Sequence, residues 1–290
     1  MKRAIRRFVG SLTGTKKYVF FVVLILICVV ALLLGIYAQF FYKYSETDML
    51  MIGINIGAKK TQEEIDALKA NFNSLFTNTL VINSEDDVRI AKIEQRSDYV
   101  YTAYNFQNED ENYYSVNAQI PIININTDKA RAINTEITSE YYNTANSIMR
   151  RTEGNTIYTV SYAAFINNNV LSLVIKSTLK EADKNEKVTV KTYNYAISDG
   201  KELTLNDLIT LKETTKEEVQ KTIDDDVKKQ YLNDQLLEDI IGIPYERDLS
   251  SDIYKVDNTS TFFLTQDGYV YVVYAYGNDD YTNVMDLVIF

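Results

Sequence analysis

The longest apolar stretch of the chain runs from Tyr18 to Phe41 and contains no charged residue. A helix of this length spans roughly 36 Å at about 1.5 Å per residue, enough to cross a hydrocarbon core of about 30 Å. The pattern therefore predicts a transmembrane helix over residues 18–41. A cleaved signal peptide is the alternative, but its apolar core is typically about 7–15 residues long and is followed by small residues. We expect residues 1–41 to remain in the mature protein.

The charges that flank this stretch predict its orientation. The first 17 residues contain six Lys and Arg and no acid, whereas the rest of the chain contains 24 of the 30 basic residues and all 40 acidic ones. Because basic flanks stay in the cytoplasm, we expect a cytoplasmic tail over residues 1–17 and an extracytoplasmic C-terminal part. The acidic balance of that part disfavours nucleic acid as a partner.

After the predicted span, the apolar pattern predicts a small segment of helix and strand over residues 49–97. Thr61 and Glu64 have the spacing of a capping box, and apolar residues then recur at helical spacing, so a helix is predicted over residues 62–76. Short strands are predicted on either side of this helix, over residues 49–56, 80–83 and 88–94.

Longer strands dominate residues 98–190. A hairpin is predicted around residues 107–112, and its return strand contains Pro121, which indicates an edge or a bulge. Thr127 or Asn126 then caps a predicted helix that reaches about Arg151. The apolar stripe of this helix consists of Ala130, Ile133, Ile137, Tyr141, Ala145 and Ile148. Three further strands are predicted over residues 156–166, 170–180 and 187–197.

Residues 191–290 form the last predicted domain. Asp199-Gly200 predicts a turn, Thr204 the start of a short helix, and Thr215 with Glu218 a second capping box. The pattern predicts two successive helices here, the second over residues 236–241 before Pro244. A hairpin around residues 266–268 and a final strand over residues 284–290 complete the chain. The predicted fold class is α+β, with mainly antiparallel sheets packed against helices.

The amino-acid composition excludes several kinds of catalytic site. The chain has no histidine, and its one cysteine, Cys28, lies inside the predicted membrane helix. Ser-His-Asp and Cys-His arrangements, ordinary zinc sites and exported disulfides are therefore excluded. No Gly-rich phosphate loop is present. A pair of carboxylates, as in glycosidases, is the remaining catalytic possibility. We expect no catalytic residue, no cofactor and no metal.

The candidate ligand-binding residues lie around the last predicted loop. They are Tyr274, Tyr276, Asp279, Asp280 and Tyr281. Aromatic rings stack on sugars, and loop carboxylates can bind calcium, although the spacing of an EF-hand is absent. Packing of the tyrosines and a plain turn for the acids are the alternatives. The acids of Asp224-Asp225-Asp226 point in different directions on a predicted helix, which favours a solvated face over a metal site.

Three segments of the second half resemble a known pair of exported domains. They are IPIININTDKARAINTEI, YNYAISDGKELTLNDLI and FFLTQDGYVYVVYAYG, and Asp199–Leu205 is the most specific piece. Over residues 98–290 the chain resembles the exported domains that accompany peptidoglycan deacetylases. The same domains form the outer region of lysozyme-sensing anti-sigma-V factors. This resemblance implies an α+β ectodomain at the cell wall.

Two departures limit what the resemblance implies. Many members of these families carry a Gly-Gly-Ala-His-like turn where this chain has Ala182–Glu186, so no family binding residue is carried over. The tail of residues 1–17 is too short to fold as a domain that holds a sigma factor. The deacetylases use metal-binding histidines in a separate domain, and this chain has none.

The sequence thus predicts a membrane-anchored, non-catalytic binding or sensing protein of the bacterial cell envelope. Its expected partner is cell-wall glycan or an extracellular protein such as a lysozyme. The alternatives are a scaffold that binds another membrane protein and a carboxylate-based glycan hydrolase.

Overall fold

The structure, a computed structural model, describes five parts of the chain: residues 61–76, 99–167, 169–241, 247–276 and 284–290. All of them belong to one unit, Leu50–Phe290. Within these parts no helix is long and apolar enough to cross a membrane. The predicted transmembrane span and three predicted strands lie outside the described residues, at 18–41, 49–56, 80–83 and 88–94.

The described residues form five α-helices and eight strands. The helices are α1 (Gln62–Ala70), α2 (Asp128–Ile137), α3 (Asn143–Ile148), α4 (Leu205–Leu211) and α5 (Lys216–Ile241). The strands are β1 (Val100–Asp110), β2 (Tyr114–Ile123), β3 (Thr156–Asn167), β4 (Val170–Glu181), β5 (Lys187–Ala196), β6 (Phe262–Leu264), β7 (Val270–Ala275) and β8 (Met285–Ile289). Short 3₁₀ helices cover Phe72–Phe76, Asp252–Tyr254 and Val256–Asn258. The α+β class is confirmed.

The first sheet has the order β1-β2-β3-β4-β5. Its neighbours are antiparallel except β2 and β3, which are parallel and therefore need a crossover. The register of β1 against β2 shifts between Thr102 and Tyr104, opposite Pro121. Proline cannot donate a hydrogen bond to the neighbouring strand, which is why a bulge was predicted at Pro121. The structure has the bulge at that position.

The crossover from β2 to β3 is α2, a π-helical turn over Thr138–Tyr142, and α3. Thr127 caps α2 by accepting a hydrogen bond from the Ala130 amide at 3.2 Å. All six residues of the predicted apolar stripe are buried, so the face of this helical segment is confirmed. The Thr127 hydroxyl also bonds the Tyr195 hydroxyl, which ties the start of α2 to the end of β5.

The second sheet has the order β6-β7-β8 and is antiparallel. The predicted hairpin turns at Gly268, whose φ of 83° is one that side chains rarely adopt. Thr204 and Asp207 form a capping box at α4, and Thr215 and Glu218 exchange equivalent bonds at α5.

The sheets and helices stack in four layers. One face of the first sheet packs on α2 and α3, and its other face packs on one face of the second sheet and on the 3₁₀ turn Phe72–Phe76. The opposite face of the second sheet packs on α4 and α5. Apolar burial thus occurs between each pair of neighbouring layers.

A buried polar contact joins the two sheets. β6 is an edge strand, and its outward backbone groups face side chains of β4 and β5. The Leu264 amide donates to Ser172 Oγ at 3.0 Å, and Ser172 Oγ donates to Asn194 Oδ1 at 2.6 Å. Asn194 Nδ2 donates to the Phe262 carbonyl at 2.7 Å, and the Phe262 amide donates to Thr192 Oγ1 at 3.1 Å. Side chains therefore satisfy backbone groups that would otherwise be buried without partners.

The structure differs from the sequence prediction in the region of α5. Two successive helices were predicted, but residues 216–241 form one helix. Leu236 does not mark the buried face of a second helix, because it is 79% exposed.

The domain boundary predicted between residues 190 and 191 falls within β5, and Tyr193 and Tyr195 of that strand pack in the core of the first sheet.

We predict that Asn194→Ala lowers the free energy of unfolding by about 1–3 kcal/mol, because it leaves the Ser172 hydroxyl and the Phe262 carbonyl buried without their partner. Urea unfolding followed by circular dichroism measures this change. Asn117→Ala is the matched control, since Asn117 is exposed on β2. Equal stabilities for the two variants would contradict the role given to Asn194.

Candidate functional site

A cleft opens at the edge of β8. It has a volume of about 360 Å³ and lies between α1, α5 and β8. Its lining consists of Asp66, Lys69, Asp226, Val227, Lys229, Gln230, Asn233 and Met285–Val288. The two helices approach β8 from opposite faces of the sheet, because Ile65 and Leu68 of α1 pack with one core and Val227 of α5 with another.

Two ion pairs connect the helices across this cleft. Lys69 Nζ lies 2.7 Å from Asp226 Oδ2, and both side chains are mostly buried. Lys229 Nζ lies 3.6 Å from Asp66 Oδ1 in a more exposed position. The Gln62 amide donates to Asp66 at 2.9 Å and, together with the charges of Lys229 and Lys69, lowers the pKa of that carboxyl. Both signs of charge therefore line the mouth of the cleft.

A buried ion-pair network lies beneath the cleft. Arg247 is 3% exposed, and its Nε and Nη2 donate to the two oxygens of Asp286 at 2.5 and 2.6 Å. A further guanidinium nitrogen donates to Asp234 on α5. Burial by itself lowers the pKa of Arg247, but the bonds and charges of the two carboxylates outweigh it and raise that pKa above its ordinary value. The guanidinium therefore stays charged and paired.

The network continues into a pair of tyrosines. The Tyr276 hydroxyl donates to Asp286 Oδ2 at 2.6 Å and lies 2.7 Å from the Tyr254 hydroxyl. Arg247 Cζ lies 5.6 Å from the centre of the Tyr276 ring, within the range of a cation–π contact. Burial, followed by the negative charge of Asp286, raises the pKa of the Tyr276 phenol far above its ordinary value. The phenol therefore remains protonated and available as a donor.

A second, smaller cleft of about 180 Å³ lies on the other side of β7. Its polar lining comes from Asn258, Thr259, Ser260, Thr261, Tyr274 and Tyr276. The Tyr274 hydroxyl lies 3.2 Å from Thr259 Oγ1, and burial raises the pKa of Tyr274 to about 12. Tyr276 lines this cleft and Asp286 lines the larger one, so their hydrogen bond connects the two.

The structure describes two of the five residues predicted as a ligand site. Tyr274 is 8% exposed and packs with the core between the second sheet and the helices, and Tyr276 packs partly buried against it. They do not form an exposed aromatic stripe. Asp279, Asp280 and Tyr281 lie outside the described residues. Of the acids on α5, Asp226 bonds Lys69 and Asp224 accepts a hydrogen bond from Gln220.

Arg247 and Asp286 were not among the site residues predicted from the sequence. One available signal was the position of Asp286, a single carboxylate within an otherwise apolar strand, MDLVI. A buried carboxylate needs a partner, so the position of Asp286 predicts a basic residue nearby. It does not identify that residue. In the described part of the chain, no group of three or more acidic residues is placed to hold a metal ion.

Comparison with known proteins identifies similar structures but no family. No family model and no curated protein matches the chain. A DUF3298 family protein from Pseudomonas aeruginosa is 15% identical, with a TM-score of 0.38 over 65% of this chain and 85% of that one. A DUF3298 family member from Bacteroides fragilis is 12% identical, with a TM-score of 0.32 over 66% of this chain and 86% of that one. TM-scores this low carry no argument about function. Neither protein is described as an anti-sigma factor or a deacetylase, so that resemblance stays a prediction.

We predict that Arg247→Met lowers the free energy of unfolding by about 3–5 kcal/mol, because it leaves two carboxylates without their cation, one of them fully buried. Denaturant unfolding of the variant beside the wild type measures this loss. Arg131→Met is the control, since Arg131 forms an exposed ion pair with Asp128 on the same helix. We expect no measurable change in the control, and a wild-type stability for Arg247→Met would disprove the structural role of the network.

Proposed function

We propose that the protein is a membrane-anchored binding protein of the cell envelope, whose extracytoplasmic domain recognises a partner without transforming it. The observation that carries this proposal is the cleft between α1, α5 and β8. Its mouth presents the lysines and aspartates of two ion pairs, and its floor rests on the buried Arg247–Asp286 pair. The buried pair is held in place, and the lysines and aspartates above it can form new ion pairs with a partner. This arrangement suits recognition of a polar partner.

The hydrogen bonding of Asp286 favours binding over catalysis. Both of its oxygens accept bonds from Arg247, and one also accepts from Tyr276. A general base needs a free lone pair directed at the proton it removes, and a general acid needs a proton to give. Three donors already occupy most of the acceptor positions of the Asp286 carboxylate, so the group most enclosed by the cleft supports structure.

The proposed location rests on the residues before the described part. The apolar stretch from Tyr18 to Phe41, with its basic tail, has the features of a single-pass anchor with a cytoplasmic N-terminus. On that reading, the domain stands at the outer face of the membrane. The nearest polymers and proteins are then cell-wall glycan and secreted enzymes that act on it. The acidic charge of this part favours encounter with a cationic protein such as lysozyme.

We expect the purified full-length protein to bind either insoluble peptidoglycan or lysozyme. We expect the double variant Gln230→Arg/Asn233→Arg to weaken that binding by at least about tenfold, because both changes place bulk and charge in the cleft. Sedimentation with peptidoglycan and calorimetry with lysozyme measure the two affinities. Gln235→Arg is the matched control, since Gln235 is exposed on α5 and does not line the cleft.

Two results would count against this proposal in different ways. If neither partner binds, the proposed partners are wrong. If a partner binds and the double variant binds it as tightly as the control does, the cleft is not the recognition site.

The proposed membrane topology predicts which single cysteines are labelled from outside the cell, in a Cys28→Ser background. Asp183→Cys lies in the exposed turn between β4 and β5, and intact cells should label it with a membrane-impermeant maleimide. Ser11→Cys, in the predicted cytoplasmic tail, should be labelled only after the cells are permeabilised. Labelling of position 11 in intact cells, or protection of position 183, would contradict the proposed orientation.

A further inference from the structure

The helix-facing side of β5 carries Lys191, Tyr193 and Tyr195 in succession, because side chains alternate along a strand. The Tyr195 hydroxyl bonds Thr127 at the start of α2. The Tyr193 hydroxyl, one step along the same face, is enclosed and has no described hydrogen-bond partner. The Tyr141 hydroxyl, on the π-helical turn that packs against this sheet, is enclosed in the same way. Tyr141 is 1% exposed and Tyr193 is 6% exposed, so bulk solvent satisfies neither.

The two unpartnered hydroxyls belong to one buried neighbourhood. Burial, followed by the negative charge of Glu140, raises the pKa of the Tyr141 phenol, and nearby Tyr193 raises it further. Burial also raises the pKa of the Tyr193 phenol, which the charge of Lys191 offsets only in part. Both phenols therefore stay neutral, and each can donate one hydrogen bond and accept others.

A cluster of charged side chains lies beside these hydroxyls. Lys191 Nζ lies 2.5 Å from Glu136 Oε1 and 2.7 Å from Glu140 Oε2, and all three side chains are partly exposed. Lys191 Nζ also lies 5.9 Å from the centre of the Tyr193 ring. An ammonium group has three donors, and the two carboxylates occupy two of them. One donor thus remains for a group bound beside Tyr193.

These surroundings favour a small neutral ligand. The two glutamates disfavour an anion, and the ammonium of Lys191 disfavours a cation. A buried hydroxyl without a partner is costly, and buried waters satisfy such groups by making about three hydrogen bonds each. Two tyrosine hydroxyls and one ammonium donor supply that number.

We propose that the hydroxyls of Tyr141 and Tyr193 bind one water molecule between the π-helical turn and β5, with the remaining donor of Lys191 as its third partner. One hydroxyl donates to the water and the other accepts from it. The water joins the helical crossover to β5, as the bond between Thr127 and Tyr195 does at the start of α2. π-helical turns are frequent at functional sites. The site lies in a different layer from the cleft beside β8, so it does not depend on the proposed function.

Changes from tyrosine to phenylalanine test the site in the purified full-length protein. Tyr141→Phe and Tyr193→Phe each remove one hydroxyl and keep the ring in the core. We expect each to raise the equilibrium constant of unfolding by about 3- to 10-fold, because each removes a hydrogen bond to the water. The double variant should raise it by less than the product of the two single effects, because both hydroxyls serve the same ligand. Urea unfolding followed by circular dichroism measures all three.

Tyr195→Phe is the matched control, because the Tyr195 hydroxyl bonds Thr127 directly. Combined with Tyr141→Phe, it should give the product of the two single effects. Single variants at positions 141 and 193 that are as stable as the wild type would show that the hydroxyls bind nothing and would overturn the proposal. Independent effects in the Tyr141→Phe/Tyr193→Phe variant would exclude a shared ligand and would also overturn it.

A crystal structure of the wild type, at a resolution that shows ordered waters, identifies the ligand directly. We expect density for a single water within hydrogen-bond distance of both hydroxyl oxygens. Hydroxyls bonded to each other, or density for a larger molecule, would overturn the proposal.

Discussion

The arrangement of the described layers depends on how the edge of β6 is satisfied. β6 has only three residues, and the backbone groups that do not face β7 lie in the interior against the first sheet. A buried amide or carbonyl without a partner costs about as much as a lost hydrogen bond. Thr192, Asn194 and Ser172 supply the missing partners. The first sheet thus holds the second through specific polar contacts as well as through apolar burial, and this fixes their register.

That register determines where the buried charges lie. With β6 fixed, β7 and β8 place Tyr276 and Asp286 beside the end of α5, where Arg247 binds Asp286 and Asp234 together. A buried ion pair contributes little net stability because desolvation offsets its attraction, but removing one partner is costly. The pair therefore acts mainly against alternative arrangements of α5 and β8. A helix or strand displaced by one residue would leave a charge buried without its partner.

The parts of the fold that were predictable from the sequence depend on local signals. The capping residues Thr61, Thr127 and Thr204, the turn at Gly200 and the apolar stripe of α2 and α3 each follow from spacing within a few residues. The parallel pairing of β2 with β3 and the contacts across the sheets depend on residues far apart in the chain, and nothing in the local pattern specifies them. Tyr276 was predicted as a candidate from its aromatic ring and its position beside the last predicted loop, but its contacts depend on Asp286 and Arg247. Their pairing spans 39 positions and requires the folded structure.

The two helical walls of the candidate site are attached to the fold in different ways, and α1 is the more weakly attached of the two. α1 has no fully buried residue. The 3₁₀ turn that follows it packs on the second sheet through Phe72, whose ring centre lies 6.4 Å from that of Phe263 and 6.3 Å from that of Tyr271. Its other connections to α5 are ion pairs, of which the Lys229–Asp66 pair is exposed and weakened by salt. α5, in contrast, is anchored by Val219, Ile223 and Val227 in the core. α1 is therefore the wall that separates from β8 at the lowest free-energy cost.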